Sequence, residues 1–274
     1  MENEYNNNSI REIVSEAIKD GSLSMRPRWH FILQTILAGF FTYLFARKID
    51  IGKIGAALAS VAFSYSLFMS VFLEYNTIGH AILFLPLLLY LVEKLLEKIT
   101  VLRAVLFAAS IAFTFLAGHL QIAGFSLVFI FVYLLFRARK VHILTPLILL
   151  IFFGLGASAI QLFPTFELIN LSARSSQNYT FLIEKLLLQP QQLIVLFSPD
   201  FFGNPATRNY LIPDTYPGNA VYIGLVPFIL AFFALPSFKK NYFVRLFLIV
   251  SIVLLILFVR SPLTETFYRF EIPL

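Results

Sequence analysis

The sequence contains no cysteine, which excludes disulfides, thiolate-ligated metals and clusters, and a thiol nucleophile. Charge is scarce as well. Charged residues make up 13% of the chain against 59% hydrophobic, roughly half the charged fraction of an ordinary soluble domain. There is no Gly-rich phosphate loop, dinucleotide fingerprint, His-Glu metalloprotease helix or Ser-centred elbow, so ATP-driven transport, nucleotide cofactors and proteolysis are not expected. No period of 20 to 50 residues recurs, which excludes a solenoid. The opening MENEYNNN lacks the basic start and apolar run of a secretory signal. A net charge of +6 with no basic patch gives no footprint for nucleic acid, and no metal or cofactor is expected.

What remains is apolar length. With 32 Phe and a mean hydropathy of +0.82, the chain reads as an all-α polytopic integral membrane protein, because a hydrocarbon core of about 30 Å takes about 20 apolar residues per helix. A barrel would instead alternate polar and apolar residues over about 10 positions. Eight apolar segments are expected to span: Trp29 to Ala46, Ile51 to Leu73, Ala81 to Val92, Val101 to Ala117, Leu120 to Phe136, Ile143 to Phe163, Ala220 to Leu235 and Leu246 to Val259. The fourth and fifth meet at a tight turn, Gly118 and His119. Gly52, Ala56, Ser60 and Ser64 recur every four residues, and Gly154 and Ser158 repeat that spacing. Small residues at this interval let helices approach closely where lipid gives no hydrophobic drive for association.

Lys and Arg set the expected orientation. Arg47, Lys48 and Lys53; Lys94, Lys98 and Arg103; Arg137, Arg139 and Lys140; and Lys239, Lys240 and Arg245 fall in alternate loops, which reads those loops as cytoplasmic. Both termini and the long loop 164–218 then face outward. Four regions result. Residues 1–28 form an extracytoplasmic segment with an amphipathic helix, capped by Ser9 and Glu12 and stopped by Gly21. Residues 29–163 hold six helices, 164–219 an extracytoplasmic subdomain with short helical pieces (FLIEKLLL, and QQLIVLF behind Pro190), and 220–274 two further helices and a tail.

The outward side gathers the polar groups: Glu74, Tyr75, Asn76 and His80, then His119 and Gln121, then Gln161 and Glu167, then the long loop. A histidine at a helix end is most often a hydrogen-bonded cap. Glu167 follows Pro164 by three residues, near an apolar boundary where a carboxylate is costly unless paired or used, and Arg174 is its natural partner. Phe201, Phe202, Tyr210, Tyr216 and Tyr222 offer flat faces with hydroxyl handles. Those faces suit a sugar ring or isoprenoid chain, and suit an interfacial aromatic belt equally.

At GHLQIA (Gly118 to Ala123), QLFPTFEL and SAR (Gln161 to Arg174), PDFFGNP (Pro199 to Pro205) and GNAVYIGLVP (Gly218 to Pro227), the chain resembles the YfhO-like family of bacterial membrane proteins. EAIKDGSLSM (Glu16 to Met25) and LAGFFTYLFARK (Leu37 to Lys48) extend the resemblance over nearly the whole chain. It implies a partial GT-C-like architecture in the bacterial cytoplasmic membrane. The implied activity is glycosylation of cell-envelope polymers, lipoteichoic acid among them, from undecaprenyl-phosphate sugars on the outer face. Relative to that family the chain is expected to be truncated or internally deleted. Its first helix and acidic outer loop are lacking, and FYRFEIPL stops where the family continues. No catalytic base is therefore assigned. The partners expected are the bilayer, a polyprenyl-phosphate-linked sugar and an envelope-polymer acceptor. The contacts expected are Glu167, Arg174, His119 and Asp200, with Gln121, Asn204 and Tyr222 alongside. A non-enzymatic envelope protein or a lipid-linked sugar carrier is the alternative.

Overall fold

The computed structural model describes residues 15, 29–73, 78–137, 141–172, 187–212 and 216–269. The chain divides into two units, 1–33 and 34–274, and the packing described below belongs to the second. Its elements are helical: α1 (Trp29–Lys48), α2 (Lys53–Ser64), α3 (Leu67–Val71), α4 (Ile78–Ile82), α5 (Phe84–Glu97), α6 (Val101–Leu116), α7 (Leu120–Arg137), α8 (Val141–Ala157), α9 (Ala159–Leu171), α10 (Leu225–Ala234), α11 (Tyr242–Phe258) and α12 (Pro262–Arg269). Short 3₁₀ turns stand between α9 and α10, and among the described residues there is no β-strand.

Local chemistry sets where these helices start and stop. Thr100 opens α6 by accepting the N–H of Arg103 at 3.4 Å, and Asn241 opens α11 by accepting those of Phe243 at 2.9 Å and Val244 at 3.3 Å. Gly118 takes φ +88° between α6 and α7, so the expected tight turn is there, in a region of backbone space that suits glycine. The core joins Leu88, Val92 and Leu95 of α5 to Phe107 and Ile111 of α6, Ile130 and Leu134 of α7, Leu147 of α8 and Leu246 of α11.

The small residues act as expected. Ser60 of α2 donates to the Gly39 carbonyl of α1 at 2.6 Å, and a Cβ on Gly39 would sit 3.0 Å from the Ser60 hydroxyl. On α8, a Cβ at Gly154 would meet the Ile111 Cβ of α6 at 2.6 Å and the Ala108 carbonyl at 2.7 Å, so only glycine permits this crossing. Gly52 is different: it is exposed and has no neighbour within 4 Å of its Cβ position.

Each expected apolar segment contains a helix, but bounds and breaks differ, and the seventh begins at Leu225 rather than Ala220. Among the described residues two helices are long and apolar enough to cross a membrane, Ile78–Glu97 and Leu120–Arg137. There are up to four if each bent pair is one span: Ile143–Ala157 with Ala159–Leu171 (71°), and Leu225–Ser237 with Tyr242–Phe258 (117°). The second segment breaks at Tyr65 and Ser66, where the Ser66 hydroxyl accepts the N–H of Met69 at 3.3 Å and starts a new helix. The sixth does not end at Phe163. It turns at Ser158 and continues through Pro164 to Leu171, because in apolar surroundings an opened backbone costs more than the one bond a proline removes. The amphipathic helix expected near the N-terminus lies outside the described residues except for helical Ser15, and so does most of FLIEKLLL. Large apolar side chains lie open outside the core, such as Ile54 at 88% and Val101 at 83%, as suits a surface bathed in lipid.

Candidate functional site

The loop between α9 and α10 is tied down at both ends of its described part. Leu188 pairs in parallel with Val259, its N–H donating to the Phe258 carbonyl at 3.0 Å while its own carbonyl accepts from the Arg260 N–H at 2.8 Å. This fixes the loop to the end of α11. A 3₁₀ turn follows at Pro190–Leu196, started by Pro190 and by the Gln192 side chain, which accepts the Gln189 N–H at 2.5 Å. Phe197 then packs edge-on against Phe228 of α10 at 4.7 Å. At the exit, the Tyr222 carbonyl accepts the N–H of Leu67 in α3 at 2.8 Å.

Between these anchors, residues 198–212 and 216–219 close on themselves through polar side chains. Gly203 has φ +87° and lies so close to the Asn209 carbonyl that no side chain fits there. Asn204 accepts the Ala206 N–H at 2.9 Å and so starts the turn Pro205–Thr207. Asn209 accepts from the Asn204 N–H at 2.9 Å and the Thr207 hydroxyl at 2.6 Å. Asp200 receives the Tyr216 hydroxyl at 2.8 Å and the Asn204 amide at 3.0 Å, both on Oδ1. Tyr216 stacks edge-to-face on Tyr210 at 5.6 Å, and the Tyr210 hydroxyl accepts from buried Asn219 at 2.9 Å. Burial first, then the bond to Asp200, pushes the Tyr216 hydroxyl up to about 12 from 10.0, so it remains a donor at neutral pH.

The chemical outcome is a carboxylate held at one oxygen. Asp200 is exposed and no described residue bonds its Oδ2, while Phe201 beside it is 60% exposed. An oriented acceptor next to an open aromatic face can take a hydroxyl and an apolar ring surface together.

The structure brings Asp200 and Asn204 together, and the other expected contacts within the described residues have the following places. His119 Nδ1 accepts the Ile122 N–H at 3.3 Å, a cap at the start of α7. Tyr222 accepts the Leu225 N–H at 3.0 Å and caps α10 in the same way. Gln121 is exposed on the first turn of α7, and Glu167 is exposed on α9. His80 is half-buried in α4, whereas Arg174, Glu74, Tyr75 and Asn76 lie outside the described residues.

A second polar cluster was not anticipated from the sequence. Glu93 of α5 is buried, and its Oε1 receives the Tyr133 hydroxyl at 2.6 Å and Arg137 Nε at 2.6 Å, while Oε2 receives Arg137 Nη2 at 2.5 Å. The guanidinium lies 5.6 Å from the Tyr242 ring and 5.1 Å from the Phe243 ring of α11. Tyr242 also donates to the Phe136 carbonyl. The available signal was Tyr133 and Arg137 four residues apart, on one helix face. These bonds join α5 to α7, and the aromatic contacts and the Tyr242 bond join α7 to α11, which makes the cluster a clamp between helices.

The family model for the bacterial membrane protein YfhO matches residues 24–274. No curated protein and no solved structure matches the chain.

Proposed function

The chain belongs to the YfhO family of bacterial membrane proteins, and on that premise we propose that it serves the transfer of sugars from polyprenyl-phosphate carriers to cell-envelope polymers. In this reading eight spans cross the cytoplasmic membrane in a partial GT-C-like arrangement, with both termini and loop 164–218 outside. One observation carries it: Asp200, oriented by Tyr216 and Asn204, presents a carboxylate oxygen that no described residue bonds, beside exposed Phe201.

Each side chain then has a role set by its chemistry. Asp200 and Asn204 hold sugar hydroxyls, because a carboxylate and an amide supply the acceptors and donors a polyol lacks once it leaves water. Tyr222 and Gln121 line the approach. Arg174 grips the lipid phosphate bidentately with His119 adding a donor, and Glu167 orients the arginine or takes a further hydroxyl. In the transfer, an acceptor hydroxyl attacks the anomeric carbon, the bond to the phosphate oxygen breaks, the lipid phosphate leaves with the electron pair, and the hydroxyl proton is released to solvent.

A photoreactive polyprenyl-phosphate sugar, irradiated with the protein in bilayers and mapped by peptide mass spectrometry, tests this reading. Label is expected on peptides from residues 198–222. Label confined to the other end of the helices, or none above that given by a lipid phosphate without sugar, contradicts it.

A further inference from the structure

Helix α9 carries large apolar side chains over most of its circumference, and only one side of it is half-covered, with Leu162 packed against the core. None of its 13 residues is buried, and Ile160, Phe163, Phe166, Leu168 and Leu171 are 81%, 74%, 54%, 67% and 80% exposed. At about 100° per residue these five spread over an arc of about 200°, interrupted by exposed Glu167 and Asn170, while half-buried Leu162, Thr165 and Ile169 face the opposite side. Its two uncharged hydrogen-bonding side chains before Glu167 bond within the helix itself. Thr165 donates to the Gln161 carbonyl at 2.6 Å, and Gln161 donates to the Thr165 hydroxyl at 3.4 Å. That economy of polar groups is what a non-aqueous medium requires.

The shape of the cover follows from the spread. A protein partner or second copy takes one stripe and leaves most of such an arc wet, whereas hydrocarbon covers the whole arc at once. Length and angle then place the helix. Helix α8 has 17 residues and α9 has 13, bent by 71° at Ser158. Those lengths are about 25 Å and about 20 Å, of which α9 adds only about 6 Å along the α8 axis. The sum of about 31 Å matches a hydrocarbon core of about 30 Å. An upright α8 therefore carries the chain nearly across, and α9 runs almost flat along the far boundary.

We propose that α9 is an in-plane helix embedded in the lipid acyl chains of the leaflet at the C-terminal end of α8. Glu167, its one charged residue, then stands at headgroup depth. This goes beyond the sugar-transfer reading and stands without it.

The chain has one tryptophan, Trp29, so a single reporter is simple to make. On a Trp29→Phe background, Phe163→Trp and Leu168→Trp place indoles on two sides of α9, and Phe166→Trp substitutes for either if it fails to insert. The proteins are reconstituted in phosphatidylcholine vesicles with bromines on the acyl chains. The expected result is blue-shifted emission at both positions, lost to brominated lipid, more to bromines near the headgroup end than near the bilayer centre, and insensitive to iodide. Red-shifted emission quenched by iodide at either position overturns the proposal in favour of water. Blue-shifted emission that brominated lipid leaves intact overturns it in favour of a protein cover, and stronger quenching from the bilayer centre overturns the in-plane placement.

Discussion

Replacing Glu93 with glutamine keeps the side chain's size and removes the charge that three donors converge on. The glutamine retains one acceptor oxygen but turns an NH₂ toward the Arg137 guanidinium, which bonds both carboxylate oxygens at 2.5 and 2.6 Å. Glu93 is 6% exposed and Arg137 30%, so the loss falls on a mostly buried charge. Removing one partner of a buried pair costs about 3–5 kcal/mol in soluble proteins. The rings of Tyr242 and Phe243 still face the guanidinium at 5.6 and 5.1 Å, and such contacts return about 0.5–1 kcal/mol each. Glu93→Gln should therefore cost about 2–3 kcal/mol, well above the ~0.6 kcal/mol average of polar contacts between membrane helices. Arg137→Gln should cost more, about 4 kcal/mol, because it leaves the deeper carboxylate uncompensated. The double substitution should recover about 1–3 kcal/mol of the summed loss. Equilibrium unfolding in bicelles titrated with SDS, followed by circular dichroism, measures all three. A Glu93→Gln protein within about 0.5 kcal/mol of its parent, or two single losses that simply add, would refute the clamp.

Two more substitutions test packing and electrostatics. Gly154→Ala must push α8 off α6, since its Cβ meets backbone at 2.7 Å, and should cost about 1–3 kcal/mol; Gly156→Ala, with nothing within 4 Å, should instead gain up to about 1 kcal/mol from helix propensity. A common sign for the pair in thermal melts would remove the close-crossing argument. Tyr216 has a raised folded pKa, so its contribution to loop stability is present below about pH 10 and is lost as pH rises through about 12. An ultraviolet difference titration of the parent against Tyr216→Phe should show a tyrosinate step near 12; a missing step centred near 10 would place Tyr216 in water.

Apolar length and small-residue spacing carried most of the helix positions in advance, because both reflect local geometry. The Gly118 turn and the Gly154 crossing follow from what a Cβ would do there. Breaks inside apolar runs were harder to read. Ser66 and Ser158 look like any small residue in a span, and only the neighbouring carbonyls and amides decide whether they end a helix. Pro164 opens the expected loop 164–218, yet seven more residues continue the helix where the surroundings are apolar. For the site, Asp200 and Asn204 stand four residues apart and form a pair through a turn that Gly203 permits. Tyr216 joins them from 16 residues away, a closure that no short-range pattern encodes. His119 and Tyr222 illustrate the converse, since a polar residue ahead of a helix can be used by the helix itself. Glu93 escaped notice because it adjoins the basic end of its segment, where an acid resembles an ordinary surface charge.

The most direct test of the account is the affinity of the protein in nanodiscs for a polyprenyl-phosphate sugar, compared between the parent and Asp200→Asn. Losing one charged hydrogen bond to a sugar hydroxyl should weaken binding by about tenfold or more, from about 1.5–3 kcal/mol, with the melting temperature unchanged and the affinity for the lipid phosphate lacking sugar unaffected. Equal affinity for the sugar lipid in both proteins would contradict the claim that this loop holds the sugar.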